Sequence, residues 1–255
     1  MRIQKIAFNE PSPFELYLPG ADGLLPLICL TPILGRLLFF EDLLMERHFA
    51  RFFASHGFAA ALIDRPIFEF NPAYGLEQIQ RYLEESILRN EKVLDELLRR
   101  KEIDPQKIGS FGISFGAVLN SLWVAADFRL KAHVFALVGG NIPEILITSR
   151  DPLMRSYLKA IIKSVGMEGK KLKEAFEKVI RLDPLKTASS ISRETVFMML
   201  GLFDRVIPFR YGQLLWRALG EPETLFLPLG HYPSLLAIPF TKWKALEFFK
   251  KKLGV

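Results

Sequence analysis

The chain has 255 residues, half of them hydrophobic, a formal net charge of +6 and one cysteine. That length suits one large domain with a sizeable core. The lone Cys29 excludes an intrachain disulfide and reads as a small buried apolar residue. No run reaches the ~20 apolar residues of a transmembrane helix. No secretory leader, zinc-ligand spacing or nucleic-acid fingerprint is present, so the expectation is a cytoplasmic protein with no integral membrane segment, no metal and no nucleic-acid partner.

In chain order, residues 14–20 (FELYLPG) and 24–32 (LLPLICLTP) read as strands separated by a Gly-containing turn. With no helix between them, they are expected to pair antiparallel at one edge of a sheet. Residues 39–57 carry helical periodicity through Leu43, Leu44, Phe49, Phe52 and Phe53, with Gly57 placed to end the helix. FAAALID (58–64) is a short apolar run of the kind buried on both faces. A long helix is expected over 75–101, a strand over 107–114, a helix over 115–126 and a strand over 132–140. Strands at 195–204 and 223–230 flank a helical run at 210–219, and a last helix covers 240–252.

Strands that alternate with helices imply a parallel sheet covered on both faces. Residues 141–190 break the alternation with two amphipathic patterns, Met154/Leu158/Ile161/Ile162/Val165 and Leu172/Ala175/Phe176/Val179/Ile180. The organisation expected is a core of 1–140 and 191–255, with 141–190 as a helical insertion over the strand C-termini, where ligands bind in open α/β sheets. Residues 150–186 hold ten Lys/Arg against five Asp/Glu. Those basic residues form either a solvated face or a contact for an acidic leaving group or an anionic surface.

Gly112-Ile113-Ser114-Phe115-Gly116 stands where the strand expected over 107–114 stops and a helix starts. A serine at such a turn projects its hydroxyl from the sheet edge, and the flanking glycines let the turn pack closely. A serine hydroxyl needs a base, and the base an orienting acid. Asp204, in GLFDRVIP, and His231, in GHYPS, follow later strands and so belong at the same edge in the order serine, acid, histidine. Asp183 and Asp151 are alternative acids in the insertion. His48, His56 and His133 fall inside or at the end of a helix or at a strand start.

Gly112–Gly116, Asp204-Arg205-Val206-Ile207-Pro208 and Gly230-His231, with the strand order, resemble the α/β-hydrolase superfamily over nearly the whole chain. Asp104-Pro105 before Ile108-Gly109, and Asp183-Pro184 before a late strand, resemble the dienelactone-hydrolase and prolyl-oligopeptidase-related branches. The resemblance implies a mostly parallel eight-stranded sheet with helices on both faces and a helical cap. It also implies an oxyanion hole built from backbone N–H groups, one from Phe115. The other would come from Ile33 or Leu34, because Pro32 carries no N–H. The expected function is hydrolysis of small or apolar carboxylic esters by Ser114, His231 and Asp204 through an acyl-enzyme, with no cofactor. The same triad also serves amide and thioester cleavage, and a non-catalytic binding protein of this fold is the alternative from another class.

Overall fold

The computed structural model describes residues 3–8, 13–20, 23–33, 44–66, 68, 71 and 73–255. Its strands are β1 (Ile3–Phe8), β2 (Phe14–Pro19), β3 (Leu25–Thr31), β4 (Ala59–Ile63), β5 (Ile103–Ile113), β6 (Ala132–Ala136), β7 (Val196–Gly201) and β8 (Glu223–Leu227). They form one eight-stranded sheet in the order β1-β2-β4-β3-β5-β6-β7-β8. β2 runs antiparallel to its neighbours β1 and β4, and every other pairing is parallel.

The expected antiparallel pairing of 14–20 with 24–32 does not form. β4 lies between β2 and β3, and the antiparallel edge is made by β1 and β2. The physical reason lies in β3, where every residue is buried. A strand buried on both faces belongs in the middle of a sheet, flanked by parallel neighbours. β1 has no counterpart among the sequence expectations, because in IQKIAF the pair Gln4-Lys5 breaks both a strict alternation and a continuous apolar run.

The helices are α1 (Leu44–Ala54), α2 (Gln78–Leu98), α3 (Phe115–Ala126), α4 (Ile142–Thr148), α5 (Pro152–Val165), α6 (Gly169–Val179), α7 (Pro184–Thr187), α8 (Phe209–Ala218) and α9 (Ile238–Leu253). Successive strand residues face opposite sides of a sheet. On β3, Leu25, Leu27 and Cys29 join the core under α2, α3 and α8, while Ile28 and Leu30 join the core under α1 and α9. Burial also pushes the Cys29 thiol far above its usual pKa, so the side chain packs as a small hydrophobe.

The parallel sense of β5, β7 and β8 decides where the chemistry lies. Their C-terminal ends share one edge of the sheet, and the residues that follow them include Ser114, Asp204 and His231. Residues of α4 and α5 face that edge.

Candidate active site

Ser114 is the N-cap of α3, with φ of 57° and ψ of −128°. A non-glycine residue with positive φ is uncommon and costs about 1–3 kcal/mol. The turn is over-determined by its bonds: the Ser114 N–H donates to Ala136 O at 2.8 Å, and the Ser114 carbonyl accepts from Ala117 and Val118 at 2.9 and 3.1 Å. The two glycines are required by close approach. A Cβ on Gly112 would lie 2.6 Å from Gly116 O and 2.7 Å from Thr31 Oγ1, and one on Gly116 would run into the carbonyls of Thr31 and Pro32. Thr31 also fastens the elbow to the end of β3, since its buried hydroxyl donates to Gly116 O at 2.8 Å.

His231 Nε2 lies 2.9 Å from Ser114 Oγ, and His231 Nδ1 lies 2.6 Å from Asp204 Oδ2. The other oxygen of Asp204 accepts from the Val206 and Ile207 N–H groups at 2.8 and 2.9 Å. The carboxylate is thereby fixed by backbone on one side and presented to the imidazole on the other. Asp204 and His231 are both buried. A base with an acceptor at Nδ1 keeps its proton there and leaves Nε2 free to accept from the serine.

The line of three side chains opens into a cavity of about 120 Å³. Its walls include Val118, Leu137, Ile142, Ile145, Leu146 and Met154, and its polar side chains are Ser114, Ser149, Asp151, His231 and Tyr232. Of residues 141–190, it is those of α4 and the start of α5 that line the cavity. α6 buries Leu172 and Phe176 in the core cluster instead, and none of its residues lines the cavity. The Lys and Arg residues of 150–186 are likewise absent from the lining.

No family model and no curated protein sequence matches the chain. Solved structures do. The acetyl xylan esterase from Paenibacillus sp. R4 superimposes with a TM-score of 0.71 at 17% identity, over 98% of this chain and 88% of that one. The hydrolase GrgF from Penicillium sp. sh18 gives 0.71 at 16% identity, over 100% of both chains. The Pyrococcus horikoshii acylaminoacyl peptidase gives 0.73 at 17% identity over 99% of this chain, which spans 42% of that protein.

The fold is that of the α/β-hydrolases.

In the α/β-hydrolase frame, the segment after β3 is where one oxyanion donor was expected. The Ile33 N–H donates to Glu46 Oε1 at 3.0 Å, so in this conformation it is committed to a buried carboxylate. Leu34, the other candidate, lies outside the described residues. Phe115 opens α3, and its N–H is among the first-turn donors that have no intrahelical partner.

The alternative acids are occupied elsewhere. Asp183 accepts from the backbone N–H groups of Asn141, Ile142 and Leu185 at 2.9, 2.5 and 2.9 Å. Asp151 caps α5 and accepts from the Tyr232 hydroxyl at 2.5 Å. The other histidines are also placed apart from Ser114. His48 meets Lys242, His56 bonds to Phe52 O, and His133 is buried in β6 against Ser110 at 3.0 Å, with burial lowering its pKa to about 3. Glu46 and Tyr232 went unnoticed in the sequence. Tyr232 had a signal, its place next to His231, whereas Glu46 is one acid among several on a helical run. Among the described residues, no three His, Cys, Asp or Glu side chains are grouped to hold a metal ion, and no helix is long and apolar enough to cross a membrane.

Proposed function

We propose that the protein is a serine hydrolase that cleaves carboxylic esters with small or apolar acyl groups. The observation that carries this is the continuous set of contacts from Asp204 through His231 to Ser114, at 2.6 and 2.9 Å, ending at an apolar cavity. Ser114 Oγ attacks the ester carbonyl while His231 Nε2 takes its proton. The imidazolium is held by Asp204 and passes that proton to the departing alcohol, leaving an acyl-serine. Water then attacks the acyl-enzyme, with His231 as base again, and the carboxylic acid and free serine are released. The Phe115 N–H, at the N-terminus of α3, stabilises the oxyanion. Residues 141–190 act as the cap, with α4 and α5 shaping the acyl pocket.

An apolar wall favours an acyl chain because burying each CH₂ is worth about 0.8 kcal/mol. The test is fluorophosphonate labelling and hydrolysis of p-nitrophenyl esters of increasing acyl length. Wild type should label at Ser114 and turn over the esters, and Ser114→Ala should do neither while keeping its fold. A folded Ser114→Ala protein with undiminished turnover would refute the assignment, and a wild type that neither labels nor turns over would favour a binding protein.

A further inference from the structure

The cavity divides into two chemically different parts. Its inner wall is apolar: Ile142, Ile145, Leu146 and Met154 are each no more than 8% exposed. Its mouth, where Tyr232 is 37% and Leu153 39% exposed, carries Asp151 and Tyr232. Among the described lining residues, Asp151 is the one acidic side chain, His231 is the one basic side chain, and no Lys or Arg is present. The site thus has a carboxylate at its entrance, although the chain as a whole carries a net charge of +6.

The carboxylate is held in place. Asp151 Oδ1 accepts from Met154 N at 2.9 Å as the cap of α5, and Oδ2 accepts from the Tyr232 hydroxyl at 2.5 Å. Burial, together with this bond to Asp151, keeps the Tyr232 phenol protonated far above its usual range. The neighbouring Arg150 N–H donates to Arg205 O at 2.9 Å, which ties the same segment to the loop that carries Asp204. The Tyr232 ring stands edge-on to His231, with centroids 5.6 Å apart. His231 must deliver a proton to the departing alcohol, so the alcohol portion of a substrate lies on the His231 side, beside Tyr232 and Asp151.

We infer that Asp151 is a specificity-determining residue, and that it selects esters whose alcohol portion is neutral or cationic and rejects those whose alcohol portion is anionic. This rests on the ester-hydrolase reading above. A fixed charge a few ångströms from a substrate charge, in a partly desolvated site, is worth about tenfold or more in discrimination. The Lys and Arg residues on the outer face of the insertion pull the other way, but salt screens them, because the Debye length is about 3 Å at 1 M and about 10 Å at 0.1 M.

The test uses three butyrate esters with one acyl group and alcohols of similar size: butyrylcholine, 2-methoxyethyl butyrate and 2-sulfoethyl butyrate. Butyrate release is followed at about 0.5 M NaCl, where exposed charges are screened. For wild type, kcat/KM should be lowest for the sulfonate, by about tenfold or more relative to the neutral ester, and highest for choline. Asp151→Asn should bring the neutral-to-anionic ratio to within about threefold of unity. Tyr232→Phe and Asp151→Glu, which both keep the carboxylate, should retain the discrimination. A purely structural cap would not separate these variants by substrate charge. A wild type that prefers the sulfonate, or an Asp151→Asn variant with the ratio unchanged, would overturn the inference. Should Asp151→Asn fail to fold, the wild-type ratio and the Asp151→Glu ratio decide. Failure of the underlying reading looks different: none of the three esters is cleaved and Ser114 does not label.

Discussion

Replacing Asp204 with asparagine is the sharpest perturbation of the proposed triad, because the structure dictates how the amide must sit. Oδ1 of Asp204 accepts from two backbone N–H groups, those of Val206 and Ile207, at 2.8 and 2.9 Å. In Asp204→Asn the amide oxygen must occupy that position, which turns the NH₂ toward His231 Nδ1, where Oδ2 now stands at 2.6 Å. Nδ1 then accepts, the ring proton moves to Nε2, and Nε2 points an N–H at Ser114 Oγ in place of a lone pair. Flipping the amide restores the tautomer but sets the NH₂ against two backbone donors, at about 1–3 kcal/mol each. The competent flip is therefore populated at no more than about one part in thirty. Turnover should fall by at least about thirtyfold, and toward the roughly 10⁴-fold loss that a wrong histidine tautomer causes in Ser-His-Asp enzymes. The assay is kcat for p-nitrophenyl butyrate at neutral pH, with circular dichroism to show that the fold is intact. A folded Asp204→Asn variant within threefold of wild type would refute the reasoning.

Other expectations follow from the same geometry. Gly116→Ala should lower stability by about 1–3 kcal/mol, read from the urea midpoint, and slow fluorophosphonate labelling, because its Cβ meets the Thr31 and Pro32 carbonyls and backbone cannot swing aside as a side chain does. Wild-type stability after that change would show that the elbow has slack. Thr31→Val removes the 2.8 Å bond to Gly116 O and should cost about 0.5–1.5 kcal/mol, the net worth of one such bond, because the carbonyl keeps its partner within α3. Burial holds the His133 pKa at about 3, so the unfolded chain, with a histidine pKa near 6.5, binds one more proton between those values. Stability should therefore fall as pH drops below about 6.5, by up to about 1.4 kcal/mol per unit from this group. In His133→Leu, urea midpoints at pH 7.5 and 5.5 should differ less than in wild type, and an equal difference would exclude His133 as the source.

Much of the site was legible in the chain because its signals are local. The elbow is a five-residue pattern whose glycines are demanded because a Cβ on Gly112 would stand 2.6 Å from Gly116 O and one on Gly116 would run into Thr31 O. Asp204 and His231 each follow a strand, and the parallel sense of the sheet carries all three residues to one edge. The burial period of the strands likewise follows from local sequence, as the opposite faces of β3 show.

Tertiary structure decided the rest. That β4 separates β2 from β3 depends on which strands can be buried on both faces, a property of the whole sheet. Ile142, Ile145 and Leu146 of the seven-residue α4 line the inner wall of the cavity, yet so short a segment has too few turns for a periodicity to show. Asp151 and Tyr232 are far apart in sequence and meet at 2.5 Å only because the insertion folds back over the loop that carries His231. The bond from Ile33 to Glu46 has the same origin. By itself, the sequence pointed to the fold class and to Ser114, His231 and Asp204 as the proposed nucleophile, base and acid, since each rests on residue type, local pattern and chain order. Which backbone donors remain open, and which charge guards the cavity, depend on side chains distant in sequence, and only packing brings those together.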